Sequence, residues 1–132
     1  MKGVLIALSL MAIILNAEAQ WTKLPITGSP LDQYVDLTKI DKKRKPYPAL
    51  WVLKDFRNEE KKNAFGKSYK SIVVLYEINC SSRRLRLTTA YYYQNNMGEG
   101  QIVDSIDTDL DNFYTPPPNT APELYIKLVC SS

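Results

Sequence analysis

The chain of 132 residues contains no histidine. That absence removes the commonest general base near neutral pH and the commonest nitrogen ligand for transition metals. Cysteine is almost absent too, with Cys80 and Cys130 the whole complement. Two thiolates without imidazole fall short of a tetrahedral metal site. A thiol nucleophile would have no imidazole to activate it. Strong charge of one sign is also missing, and a net charge of +3 is too mild to imply nucleic acid as a partner. What is left for catalysis is a lysine or a pair of carboxylates, such as Asp36 and Asp55, and no pair stands at a defined catalytic spacing. The chain reads as a non-enzymatic protein without metal or cofactor.

One long apolar run is present, from Val4 to Leu15, preceded by Lys2 and followed by Ala17-Glu18-Ala19. That order is a secretory signal peptide with a small-x-small cleavage site, and it predicts a cut between Ala19 and Gln20. As a membrane anchor the run is short of the roughly 20 residues a bilayer needs. No cysteine follows it to carry an N-terminal lipid. The expectation is a leader over 1–19 and one exported domain over 20–132, periplasmic or at the cell surface, with neither lipid nor transmembrane anchor. In that compartment an even pair of cysteines predicts a disulfide, and Cys80–Cys130 is the sole pairing within one chain. Closing a loop of that span stabilises a fold by about 4 kcal/mol in the chain-entropy picture.

Strand signals dominate the rest. "QWTKL" reads as a short strand with Trp21 as a core anchor, and "ITGSPLD" as a turn. "QYVDLTKI" alternates. "ALWVLKDF" is apolar on both faces, as a central strand covered on each side would be. "RNEEKKNAFGKS" reads as a loop with room for one helical turn. In "YKSIVVLYEINC", Ile72, Val74, Tyr76, Ile78 and Cys80 point one way, with Val73, Leu75 and Glu77 opposite. "SSRR" reverses the chain, "LRLTTAYYYQ" returns, "NNMGEG" turns again and "QIVDSI" adds a strand. Strict alternation along Leu85–Tyr93 puts Tyr91 and Tyr93 with Leu85 and Leu87 on the core face. It puts Tyr92 with Arg84 and Arg86 toward solvent. Between Lys42 and Lys45 four basic residues run consecutively. They read first as a solvated hairpin tip and second as a patch for an anionic partner.

Three smaller motifs stand along the chain. Asp107, Asp109 and Asp111 imitate the opening of a calcium loop, but Asn112 and Pro118 stand where glycine and glutamate are required. Asn79-Cys80-Ser81 fits a glycosylation sequon at a poor place, a buried strand end. In the tail, Pro116–Pro118 are extended by necessity, and Thr120 with Glu123 predicts a capping box opening a helix over "PELYIKLVC". Pro122 suits its first turn. A strand fits the same residues.

Trp21, "YVDLTKI", "WVLKDF", "GKSY", "LYEINCSSRRLRL", "YYYQNNMGEGQIV" and "PELYIKLVC" follow one another in an order that resembles the bacterial surface-adhesin protein E-like domain. The resemblance implies an antiparallel sheet with a C-terminal helix, and a family named for adhesins that bind host matrix and plasma proteins. The expected fold is therefore α+β: a single antiparallel sheet of about six strands, a short C-terminal helix and one disulfide. The expected function is a non-enzymatic binding module for a protein partner. Its candidate contacts are Arg84, Arg86, Tyr92, Lys42, Lys43, Arg44 and Lys45, since tyrosine and arginine are favoured at interfaces. The alternative is a periplasmic accessory protein that binds an envelope partner or a small ligand.

Overall fold

A computed structural model of the chain describes residues 19–107 and 112–131. Residues 1–18 of the leader expected over 1–19, and the aspartates of the calcium-like series beyond Asp107, lie outside the described residues.

The alternating segments pair into one six-stranded antiparallel sheet in the order β1-β2-β3-β6-β7-β8. Its strands are β1 (Trp21–Lys23), β2 (Asp32–Asp36), β3 (Ala49–Asp55), β6 (Ser71–Asn79), β7 (Arg84–Tyr93) and β8 (Ile102–Asp107). Between β3 and β6 the charged segment forms a small hairpin, β4 (Lys61–Lys62) with β5 (Ser68–Tyr69). The segment read as a loop thus carries a hairpin, and the room left for a helical turn is not used. Asn63 instead accepts the amides of Phe65 and Lys67 and closes a hairpin tip. The tail is helical: α1 runs over Ala121–Cys130, with Thr120 as its N-cap. The capping box is replaced by a related arrangement, in which Thr120 Oγ1 donates to the Pro117 carbonyl and Glu123 accepts the Asn119 amide.

One face of the sheet packs under α1. Val35, Leu50, Val52, Val74, Tyr76, Ile78 and Leu85 are buried there against Tyr125, Ile126 and Val129. The Tyr76 and Tyr125 rings lie 5.3 Å apart. Burial pushes the Tyr125 phenol well up, and its hydroxyl donates to Gln33. The predicted disulfide is present. Cys80 follows β6, Cys130 ends α1, and the bond ties the helix to the sheet with Cα atoms 5.5 Å apart.

Along β7 the side chains face otherwise than strict alternation predicts. Tyr76 pairs with Leu87 but Leu75 pairs with Thr89, so the register shifts and β7 holds one extra residue, Thr88. A bulge of one residue reverses the facing of everything beyond it. Leu85, Leu87, Ala90 and Tyr92 therefore join the helix side, where Tyr92 packs against the buried core. Arg86, Thr89, Tyr91 and Tyr93 occupy the opposite face. Tyr91 and Tyr93 are not core residues beside Leu85, and Tyr92 does not share a side with Arg86.

An aromatic cavity on the open face of the sheet

The face without the helix is built from alternate residues of all six strands. Across it Trp51 pairs with Leu75 and Leu75 with Thr89, while Leu53, Val73, Tyr91 and Ser105 form the adjoining row. Trp21 comes from β1 and pairs with Asp36 of β2. The Trp51 and Tyr91 rings stack with centroids 6.4 Å apart and planes 21° from parallel. A cavity of about 260 Å³ opens on this face. Trp21, Trp51, Val73, Tyr91 and Tyr93 wall it, together with Asp36, Lys39, Ala19 and Gly98.

The turn after β7 bounds one side. Asp55 and Ser71, both buried, hold it down. Asp55 Oδ1 accepts the Asn96 side-chain amide at 2.9 Å and the Met97 backbone amide at 3.0 Å. Ser71 Oγ accepts from the Gly98 amide and donates to the Asn95 carbonyl. The turn thereby lies over Leu53 and Val73, and Leu53 is fully buried although it belongs to the open face. Gly98 sits where a Cβ would come within 3.1 Å of Val73.

A charged cluster marks the end of this face where β7 begins. Glu77, buried beneath it, receives Arg44 at 2.8 Å on one carboxylate oxygen and Arg86 at 2.8 Å on the other. Burial alone would push the Glu77 carboxyl up. The hydrogen bonds and charges of the two arginines outweigh it and hold the carboxyl below its usual value. The Arg86 guanidinium also lies 4.5 Å from the Phe113 ring centroid and 5.9 Å from that of Tyr47.

The sequence-derived candidates thus scatter over three places. Arg44 and Arg86 meet at Glu77 and are engaged in the fold. Lys42 reaches the Ser131 carbonyl at 3.1 Å, while Lys43 and Lys45 are exposed near it in the β2–β3 connection. Exposed Arg84 donates to Thr115. Tyr92 lies on the helix side, edge-on to Tyr69 at 4.8 Å, and burial raises its phenol pKa. The carboxylates considered as a catalytic pair do not converge. Asp36 lines the cavity, whereas Asp55 is occupied by the turn after β7. Among the described residues no group of acidic or cysteine side chains is arranged to hold a metal. The aromatic cavity itself was missed because its members come from five strands. The signal available for it was the concentration of both tryptophans and Tyr91 and Tyr93 at strand positions.

Comparison with solved structures places the fold beside that of protein E from non-typeable Haemophilus influenzae. The TM-score is 0.53, with 86% of each chain covered and 16% of residues identical. No curated protein matches the sequence. The model of the surface-adhesin protein E family matches residues 21–131. The match covers every strand of the sheet, the helix and both cysteines, and the chain belongs to the surface-adhesin protein E family.

Proposed function

We propose that the protein is an exported, non-enzymatic binding module that recognises a protein partner on the open face of its sheet. The observation that carries this reading is the wall of Trp21, Trp51, Tyr91 and Tyr93 around a cavity left uncovered by the helix. Tryptophan and tyrosine dominate the energetics of protein interfaces when they sit at the centre of a patch that can be dried on binding. A soluble chain gains nothing for its own stability by leaving such rings half-exposed. Family membership supports display outside the cytoplasm and adhesin-like attachment to host matrix or plasma proteins. The basic residues Lys42, Lys43, Lys45 and Arg84, none of which lines the cavity, offer positive charge elsewhere on the surface to an acidic partner, and the leader over 1–19 supplies the export route. Arg44, Arg86 and Tyr92 contribute through the shape of the fold.

The second reading, a periplasmic protein that takes a small ligand, draws on the same cavity. At about 260 Å³ the space is smaller than the roughly 300–1,000 Å³ of most ligand pockets. It suits an inserted side chain better. Among the described residues no helix is long and apolar enough to cross a membrane.

The test has two steps. Protease shaving of intact cells, with a periplasmic marker as control, is expected to remove the protein and spare the marker. The purified exported chain is then titrated onto immobilised matrix and plasma proteins. Saturable binding weakened about 30-fold by Trp51→Ala is the expected result, the size of one interface anchor. Full protection from protease would sink the adhesin reading. Binding indifferent to Trp51→Ala would sink the choice of face.

A further inference from the structure

Asp36 is a carboxylate in an unusual position. Its side chain is 1% exposed, and among the described residues no lysine or arginine pairs with it. Among the described residues its hydrogen-bond donors are the backbone amide and hydroxyl of Thr38 and the backbone nitrogen of Gln20, the last at 3.2 Å from Oδ2. Lys39 lines the same cavity without reaching it. A buried carboxylate needs a cation or a full set of donors to offset the loss of water. Gln20 is also the residue that the leader reading places first in the mature chain.

We infer that export supplies the missing cation: cleavage between Ala19 and Gln20 turns the Gln20 amide into an α-ammonium that pairs with Asp36 and fixes Trp21 as a wall of the aromatic cavity. This inference rests on the proposed leader and deepens the proposed site. Ala19 is itself part of the cavity wall, so the cut removes it and widens the mouth. Trp21 follows Gln20 directly and pairs with Asp36 across β1 and β2. An ion pair at Gln20 therefore holds the first strand against the sheet at the place where a chain end would otherwise fray.

The ion pair has a chemical consequence. An N-terminal glutamine cyclises when its neutral amine attacks its own side-chain Cδ. A new C–N bond forms, the bond from Cδ to the side-chain nitrogen breaks, and ammonia leaves. An amine held as ammonium on Asp36 has no lone pair for that attack, so the exported chain keeps an open N-terminus.

The experiment compares the exported chain, a chain extended by Glu18 and Ala19, and both chains carrying Asp36→Asn. Intact mass first identifies the starting residue, and a start other than Gln20 overturns the inference together with the leader assignment. With the start confirmed, the extension is expected to lower Tm by about 5 °C when Asp36 is present and to have no effect with Asp36→Asn. Equal Tm values for the two Asp36 chains, or an equal loss in both backgrounds, would overturn the ion pair while leaving the leader intact. On storage at neutral pH the exported chain should retain its ammonia, and the Asp36→Asn chain should lose it several-fold faster by mass. Equal rates would also count against the pairing. If Asp36→Asn fails to fold, the comparison of the two Asp36 chains still decides the question. Failure of the aromatic site alone would appear as unchanged partner binding in Trp51→Ala, with these results unaffected.

Discussion

The hydroxyl of Thr88 donates to the Leu75 carbonyl at 3.2 Å, at the step where β7 takes in one more residue than β6. That bond stabilises a bulge on which the whole aromatic face depends. Beyond it Tyr91 and Tyr93 meet the cavity and Tyr92 meets the core. Deleting Thr88 should restore strict alternation, drive Tyr92 out of the core and force Tyr91 and Tyr93 under the helix. The expected outcome is loss of cooperative unfolding, read by urea titration with tyrosine and tryptophan fluorescence. Thr88→Ala keeps the residue count and gives up one hydrogen bond, so a loss of only about 1 kcal/mol is expected. A deletion variant as stable as the parent would show that the bulge can migrate along β7.

That bulge also marks the boundary of what local sequence pattern could reveal. β3 and β6 alternate without interruption, so their facing was legible from Leu50, Val52, Val74 and Tyr76 alone. The disulfide was legible because two cysteines in an exported chain leave one pairing. The helix over Ala121–Cys130 was only half legible: its cap and apolar residues four apart suit a helix, but a strand suited the same residues. The fate of Tyr91–Tyr93 was not legible, because register is decided by the partner strand and "LRLTTA" carries no glycine to announce a bulge. Glu77 with Arg44, and Asp55 with Asn96, were hidden for the same reason. Their partners are 33 and 41 residues apart in the chain. The candidate surface rests on one consecutive run, 42–45, and on alternate positions of a single strand, whereas the cavity is assembled from five strands.

The Cys80–Cys130 bond spans 50 residues, and removing it with Cys80→Ser and Cys130→Ser should cost about 4 kcal/mol. The helix it tethers also buries Tyr125, Ile126 and Val129, so α1 should stay docked at low denaturant. A lower urea midpoint is expected, with a somewhat steeper slope because the unfolded chain without its cross-link exposes more surface. A shallower slope would mean that the helix detaches on its own, before the sheet unfolds.

Glu77 predicts an acid-sensitive component of stability. Its carboxyl is held below the ordinary glutamate value of 4.5 by Arg44 and Arg86 against the opposing effect of burial. A group whose pKa is lower in the folded state binds fewer protons there than in the unfolded chain. Its contribution is therefore complete above about pH 4.5 and is lost as pH falls through the depressed folded value. Glu77→Gln should cost about 2 kcal/mol at neutral pH, since it leaves two arginines without their anion at a partly solvated site. It should also flatten the acid limb of a stability-against-pH curve. An acid limb identical to that of the parent would move the effect to other carboxylates, such as Asp32 beside Arg57.

Asp55 predicts the behaviour of the turn over the open face. Its one oxygen Oδ1 serves both the Asn96 side chain and the Met97 amide. Asp55→Ala would strand two donors in a poorly hydrated place at a cost of about 2 kcal/mol. Hydrogen exchange at the Met97 amide should rise sharply while amides in β3 and β6 keep their protection. Asp55→Asn retains an acceptor oxygen and should keep most of that protection. Gly98→Ala attacks the same turn from the other direction. Its new Cβ would stand 3.1 Å from Val73 at a φ of +67° that favours glycine. If Asp55→Ala exposes the Met97 amide and Gly98→Ala does so as well, hydrogen bonding and close packing hold the turn jointly. Protection surviving Asp55→Ala would instead assign the turn to its packing on Val73 and Leu53.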